Sequence, residues 1–283
     1  MRRLLLLAPL LLLGLTACRA SDPVALLNDL TPTRGIHVQT DLAYGDLPRQ
    51  KLDVYALPNL KNAPVVVFIH GGSWRGGSKD EYKFVGASLA RAGYVTAVIG
   101  YRLAPQNRYP DSVRDAAQAI RWTRDHAALF GGDPDKLFVM GHSAGGFNAV
   151  EVVMNARWLR EVNVPIKSIR GVIGLAGPYD YDFRGGDTET AFPENATPEE
   201  VMPARHVRAD PPPTLLFTAE NDTVVGPENA TKMYAALRQA GADVTLTQIP
   251  RLNHATLAGA LSTRLTFLGP VRADVIGFIE KWK

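Results

Sequence analysis

A serine between glycines is the feature of this sequence best suited to covalent chemistry. Residues 141–145 read Gly-His-Ser-Ala-Gly and stand between an apolar strand-like run and a helical pattern. Such a strand-to-helix turn strains the serine backbone and lifts the hydroxyl above the sheet. Gly141 and Gly145 are expected where side chains would collide with the strand and the helix. We therefore predict that Ser143 is a nucleophile.

A serine hydroxyl needs a base, and the base needs an orienting carboxylate. Among six histidines, His254 comes soon after the last predicted strand, at the carboxyl edge where open α/β sheets collect their chemistry. His142 is expected to point elsewhere on the turn. Asp222 is predicted as the acid, because it lies far enough beyond the strand 214–218 to clear its end. Glu220 is the rival carboxylate.

Developing negative charge on a substrate oxygen also needs preorganised donors. The segment His70-Gly71-Gly72-Ser73-Trp74 follows the buried strand 64–69, and its glycines leave backbone amides free to face the site. We predict an oxyanion hole from the amides of Gly72, Ser73 and Ala144. His70 is expected to hold the loop in place, and Trp74 is expected to pack or to form a pocket wall.

The elements that must position these residues alternate between strand and helix patterns from residue 36 to residue 283. This alternation predicts one α/β domain with about eight mostly parallel strands and helices on both faces. Residues 51–57 alternate as a half-exposed strand does. Ser78 to Glu81 reads as a capping box that opens a helix over residues 79–92.

One long connection, residues 178–212, interrupts the alternation and is expected to be a lid. Thr197, Pro198 and Glu200 predict a short helix to about Val207. Seven acidic residues between Asp180 and Glu200 are expected to disfavour anionic substrates. The lid has no long apolar face for a lipid droplet.

The N-terminus predicts export. Residues 1–17 carry two arginines followed by an apolar run too short for a resident membrane span. The run ends in Leu-Thr-Ala-Cys, which resembles the lipobox of bacterial lipoproteins. Cys18 is the only cysteine, so it is predicted to be acylated and to anchor the protein to a membrane of the cell envelope. Residues 18–35 are expected to be a tether.

Charge and composition limit the other function classes. The formal net charge is +3, from 31 basic and 28 acidic residues, with no basic block. Nucleic acid is therefore not an expected partner. No His, Asp or Glu cluster has the spacing of a metal site, so metal-dependent hydrolysis is not expected.

The chain from about residue 50 onwards resembles the α/β-hydrolases, in particular bacterial esterases grouped around hormone-sensitive lipase, kynurenine formamidase and carboxylesterases. The resemblance rests on residues 70–74, 101–105, 131–146, 220–225 and 252–257, which read HGGSW, YRLAP, GGDPDKLFVMGHSAGG, ENDTVV and LNHATL. It implies ester hydrolysis with no metal or organic cofactor. Hormone-sensitive-lipase-like members have a third glycine where this chain has Ser73.

That departure leaves the ester and formamide alternatives open. The predicted function is hydrolysis of small-molecule short-chain esters, because the lid is modest in size. Export makes a formamidase of intracellular tryptophan catabolism the second choice. A non-catalytic binding protein on the same scaffold would usually have lost the serine, the histidine or the acid, and this sequence keeps all three.

Overall fold

The computed structural model describes residues 23–283, and the apolar runs of this part form one eight-stranded sheet. The predicted signal segment and Cys18 lie outside the described residues. The strands are β1 His37–Ala43, β2 Lys51–Ala56, β3 Ala63–Ile69, β4 Val95–Ile99, β5 Gly132–His142, β6 Ile169–Leu175, β7 Thr214–Ala219 and β8 Val244–Ile249.

Strand order places the most apolar strands at the centre of the sheet. The order is β1-β2-β4-β3-β5-β6-β7-β8. β1 pairs with β2 and β2 with β4 in antiparallel fashion, and all other pairs are parallel. Because parallel strands share a direction, the carboxyl ends of β3, β5, β7 and β8 meet at one edge. The predicted mostly parallel sheet is confirmed.

Helices cover both faces, as predicted. They are α1 Pro23–Asp29, α2 Lys83–Arg91, α3 Asp111–His126, α4 Ala144–Met154, α5 Ala156–Glu161, α6 Pro198–Val201, α7 Glu228–Gln239, α8 His254–Gly259 and α9 Val271–Trp282. Buried side chains of β3 alternate between the two cores: Val67 and Ile69 pack with α3 and α4, whereas Phe68 packs with α2 and α9. A strand buried on both faces explains the continuous apolar run.

The prediction of a half-exposed β2 is wrong. Leu52 to Ala56 are all buried, and the buried Asp53 carboxylate pairs with the Lys79 ammonium at 2.8 Å. Asp41 and Asp80 also pair with the Lys79 ammonium, at 3.0 and 2.7 Å. The predicted Ser78 cap does not form either, since the Ser78 side chain makes no capping bond and a 3-10 turn, Lys79–Tyr82, precedes α2.

Removing the Lys79 charge is expected to destabilise the fold strongly. Lys79→Met leaves the Asp53 carboxylate, only 3% exposed, without its cation. We expect the free energy of unfolding to fall by about 3–5 kcal/mol, the cost of breaking a buried ion pair from one side. Equilibrium denaturation with urea measures this loss.

An exposed ion pair provides the matched control for Lys79→Met. Lys281 lies 3.5 Å from Asp243, and both side chains are more than half exposed, so Lys281→Met is expected to cost less than about 1 kcal/mol. Equal losses in the two variants would show that burial of Asp53 does not set the cost. The double variant Asp53→Leu/Lys79→Met is expected to regain much of the lost stability.

The described part of the predicted tether includes a helix that contacts the domain. The side chain of Asn28, in α1, donates to the Asp80 carbonyl at 2.9 Å and accepts from the Phe84 amide at 3.1 Å. The chain is therefore attached to the domain before β1 begins. None of the helices in residues 23–283 has the length and apolar character needed to cross a membrane.

The connection predicted as a lid runs between β6 and β7 and contains little regular structure. α6 ends at Val201, earlier than expected, and a 3-10 turn, Pro203–Arg205, follows. Glu200 accepts a hydrogen bond from the Thr197 amide at 2.8 Å, which fits the predicted start of this helix. The large apolar side chains of this connection face inward, since Phe183, Phe192 and Met202 are all buried.

Candidate active site

Ser143 occupies a strained turn between β5 and α4. Its backbone has φ 56° and ψ −126°, a region that costs side-chain-bearing residues about 1–3 kcal/mol. The Ser143 amide donates to the Leu175 carbonyl of β6 at 2.9 Å, which fixes the turn to the neighbouring strand. A Cβ on Gly141 would strike the Gly145 carbonyl, and one on Gly145 would strike the Ile69 carbonyl. Both glycines are therefore required sterically.

Asp222 and His254 come together at the same edge of the sheet. His254 Nδ1 lies 2.8 Å from Asp222 Oδ2, and the Asp222 side chain is only 2% exposed. The other carboxylate oxygen of Asp222 accepts from the amides of Val224 and Val225, both at 2.9 Å. With both oxygens bonded, the acid holds a fixed orientation toward the imidazole.

The rival carboxylate, Glu220, has a different partner. Its Oε2 accepts from the Arg251 amide at 2.7 Å, so it joins the loop after β7 to the loop after β8. The Asn221 amide reinforces this link by donating to the Leu252 carbonyl at 2.8 Å. Asp222 thus lies within hydrogen-bond distance of His254, whereas Glu220 joins the two loops.

The loop after β3 passes directly beside Ser143. A Cβ on Gly71 would lie 3.1 Å from the Ser143 Cβ, so only glycine fits this approach without displacement. Beyond it, Gly72, Ser73 and Trp74 all have positive φ, at 118°, 53° and 58°. Within residues 23–283, the amides of Gly72, Ser73 and Ala144 have no hydrogen-bond acceptor. Three free donors therefore border the serine, as a site for an oxyanion requires.

Aromatic and histidine side chains attach the loop of residues 70–74 to the elements around it. His70 Nδ1 donates to the Gly71 carbonyl at 2.6 Å, and Tyr101 donates to the His70 carbonyl at 3.1 Å. The His70 and Tyr101 rings stack at 4.2 Å. Burial lowers the pKa of His70 to about 3, so His70 is neutral at pH 7. Trp74 Nε1 donates to Asn148 Oδ1 of α4 at 3.1 Å. His70 is thus bonded within the loop, and Trp74 is bonded to α4.

The connection between β6 and β7 closes an aromatic cluster beside the serine turn. Phe192 packs edge to face on Trp74, with ring centroids 5.1 Å apart, and Phe147 of α4 contacts Trp74 at the same distance. All three side chains are at most 4% exposed. The space next to the Ser73 loop is therefore filled by aromatic rings.

Several acids in this connection are paired with basic side chains. Asp180 pairs with Arg205 at 3.1 Å and Asp182 pairs with Arg184 at 2.6 Å. Because these charges are partly neutralised, the segment repels anions less than its sequence suggests.

A buried carboxylate of α4 attaches the same connection to the serine helix. Glu151 is fully buried and accepts from Tyr109 at 3.0 Å and from Trp158 at 2.9 Å. His206 Nδ1 lies 2.9 Å from its other oxygen. Burial lowers the pKa of His206, but the Glu151 carboxylate outweighs this effect and raises it overall. The His206 imidazole is thus bound to Glu151.

Two polar residues near the site were not recognised from the sequence. His142 was expected to point away, yet its Nε2 donates to the His254 carbonyl at 3.0 Å. Tyr82 was not selected at all, and its hydroxyl lies 3.0 Å from His142 Nδ1. The only sequence signal for either is the position of His142 beside the serine.

The acidic, histidine and cysteine side chains within residues 23–283 form no cluster of three that could hold a metal ion.

Comparisons with known proteins agree with this architecture. The BD-FAE family model matches residues 52–182. A probable isoprenylcysteine alpha-carbonyl methylesterase from Arabidopsis thaliana is 31% identical over 73% of this chain and 48% of its own length. Esterase LipC from Mycobacterium tuberculosis is 30% identical over 75% of this chain and 58% of its length. The chain thus spans about half the length of these relatives.

A solved structure extends the likeness to almost the whole chain. Esterase B from Lactobacillus rhamnosis, described with a C4-C4 SN3 tributyrin phosphonate, is 18% identical. It superposes with a TM-score of 0.76 over 96% of this chain and 95% of that one. The sheet order, the serine turn at its carboxyl edge and this superposition lead to one conclusion: the chain has the α/β-hydrolase fold.

Proposed function

We propose that this protein is a serine carboxylesterase. Ser143 is the nucleophile, His254 the base and Asp222 the acid that orients it. The 2.8 Å contact between His254 and Asp222, both at the sheet edge that bears Ser143, is the observation that carries the proposal. The curated relatives named as esterases support the same reaction class.

The reaction proceeds in two halves. Ser143 Oγ attacks the ester carbonyl carbon while His254 takes the hydroxyl proton, and the amides of Gly72, Ser73 and Ala144 stabilise the oxyanion. Collapse of this intermediate breaks the bond to the alcohol, which leaves with the proton from His254. Water repeats the sequence on the acyl-enzyme and releases the carboxylic acid. Asp222 stabilises the imidazolium in both halves.

Short acyl chains are the proposed substrates. The aromatic rings of Trp74, Phe147 and Phe192 fill the space beside the Ser73 loop, which leaves little room for a long chain there. The tributyrin phosphonate described with the Lactobacillus esterase is in keeping with short acyl groups.

A chain-length series tests the proposed function. A soluble form of the chain that starts at Arg19, and so lacks the proposed anchor, is assayed on p-nitrophenyl esters from acetate to laurate. We expect kcat/KM to peak at acyl chains of about two to four carbons, because a filled pocket penalises each added methylene. A maximum at laurate would overturn the short-chain proposal. Hydrolysis of N-formylkynurenine with no ester hydrolysis would replace the ester by a formamide.

We also propose that the protein is exported and held on the cell envelope through acylated Cys18. The support is the N-terminal sequence. Labelled palmitate is expected to enter the wild-type protein, and Cys18→Ser is expected to remove both the label and the sedimentation with membranes. Retained label in Cys18→Ser would contradict this assignment.

A further inference from the structure

A chain of hydrogen bonds joins the Gly71 loop to the backbone of His254. The Gly71 amide donates to the Tyr82 hydroxyl at 3.4 Å, and this hydroxyl lies 3.0 Å from His142 Nδ1. On its other side, His142 Nε2 lies 3.0 Å from the His254 carbonyl oxygen. His142 is 5% exposed, so water has little access to these bonds.

Each bond in this chain has a defined direction. A carbonyl oxygen can only accept, so His142 Nε2 must carry the proton. Burial lowers the pKa of His142 to about 3, and the neutral ring therefore leaves Nδ1 as an acceptor. Tyr82 must then donate its proton to Nδ1, and its oxygen is left to accept from Gly71. One arrangement of protons satisfies the whole chain.

We infer that Tyr82 and His142 are positioning residues that hold the His254 backbone and the oxyanion loop in register with Ser143. This inference rests on the proposed esterase function. The contacted residues are direct neighbours of the site. Gly71 precedes Gly72 and Ser73, whose amides belong to the proposed oxyanion hole, and His142 precedes Ser143. A shift of a catalytic group by about 1 Å can cost about a hundredfold in rate.

The neutrality of His142 is suited to this place. The His142 and His254 ring centroids are 4.7 Å apart. When His254 takes the serine proton it becomes a cation, and a second cation at this distance would oppose that charge. A neutral imidazole with its N–H on the His254 carbonyl provides the contact without the repulsion.

Two substitutions of similar size separate the bond to His254 from the bond to Tyr82. His142→Gln can place an amide N–H near the Nε2 position, whereas the shorter side chain of His142→Asn reaches only toward Tyr82. We expect His142→Gln to keep kcat within about threefold of wild type and His142→Asn to lose about tenfold or more, with KM unchanged in both. Tyr82→Phe is expected to lower kcat about three- to tenfold.

A double variant tests whether the residues act as one chain. Tyr82→Phe added to His142→Asn should lower kcat by less than the product of the two single effects, because the path to His254 is already broken. Tyr94→Phe is the matched control, because it removes a tyrosine hydroxyl that donates to Glu280 at 2.9 Å. Tyr94 directly precedes β4 and therefore lies at the edge of the sheet opposite to Ser143. This variant should leave kcat unchanged.

The outcomes distinguish the two proposals. An active wild type whose Tyr82→Phe and His142→Asn variants keep full kcat and lose only thermal stability would overturn the inference alone. Equal loss in His142→Gln and His142→Asn would also overturn it, since the donor to His254 would then be irrelevant. A folded wild type that hydrolyses no ester would overturn the esterase proposal and this inference with it.

Discussion

Replacing Ser143 by alanine is expected to lower kcat for ester hydrolysis by about a million-fold, the loss typical of a removed serine nucleophile. Without Oγ no acyl-enzyme forms, so no pre-steady-state burst of alcohol should appear. The backbone need not change, because alanine keeps the Cβ and the Ser143 amide keeps its bond to Leu175. Stopped-flow kinetics and circular dichroism of the variant measure both effects.

A glycine at the same position separates catalysis from backbone strain. Ser143 has φ 56° and ψ −126°, a conformation that glycine adopts freely. Ser143→Gly should be as inactive as Ser143→Ala. We expect its free energy of unfolding to be higher than that of wild type by about 1 kcal/mol or more, measured by denaturant titration. Turnover near the wild-type rate in either variant would end the assignment of Ser143 as nucleophile.

The base should behave as part of the same unit. His254→Ala is expected to lose nearly as much activity as Ser143→Ala, and the double variant should be no slower than either, because the residues act together. A double variant much slower than Ser143→Ala would mean that His254 promotes hydrolysis without Ser143, and that the two residues do not act as one unit.

Local sequence patterns predicted the elements whose burial shows in their own run of apolar residues. The bounds of β3 and β7 agree to within one residue with the expected strands 64–69 and 214–218, because a short run of apolar residues is typical of a buried strand. The positions of Ser143, Asp222 and His254 at strand ends followed from the same parallel arrangement.

Features that depend on distant partners were not predictable in this way. Asp53 looked like the exposed side of a half-exposed strand, but it is buried beside Lys79, which the turn before α2 brings to it. The role of His142 depends on the main-chain carbonyl of His254, 112 positions away. Every residue has such a carbonyl, so the residue type does not indicate which carbonyl will accept a hydrogen bond. The helix α8 had a signal, Asn253 followed by Thr256 three residues later, that was not used.

Replacing Asp222 by asparagine is expected to lower kcat about ten-thousand-fold through the tautomer of His254. The asparagine oxygen can still accept from the Val224 and Val225 amides, so its amide nitrogen faces His254 Nδ1. That nitrogen donates, which forces Nδ1 to accept and puts the imidazole proton on Nε2. A protonated Nε2 cannot take the proton of Ser143. Steady-state kinetics should show the loss in kcat, with KM little changed because Asp222 is buried.

Glu220→Gln is the matched control, because it removes the rival carboxylate from the same loop. The side-chain oxygen of the introduced glutamine can still accept from the Arg251 amide, which Glu220 binds at 2.7 Å, so the loop should keep its conformation. We expect kcat within about threefold of wild type, the effect of exchanging one acceptor for a weaker one. A larger loss in Glu220→Gln than in Asp222→Asn would transfer the role of the acid to Glu220. The contact between Asp222 and His254 would then serve only to anchor the imidazole in the fold.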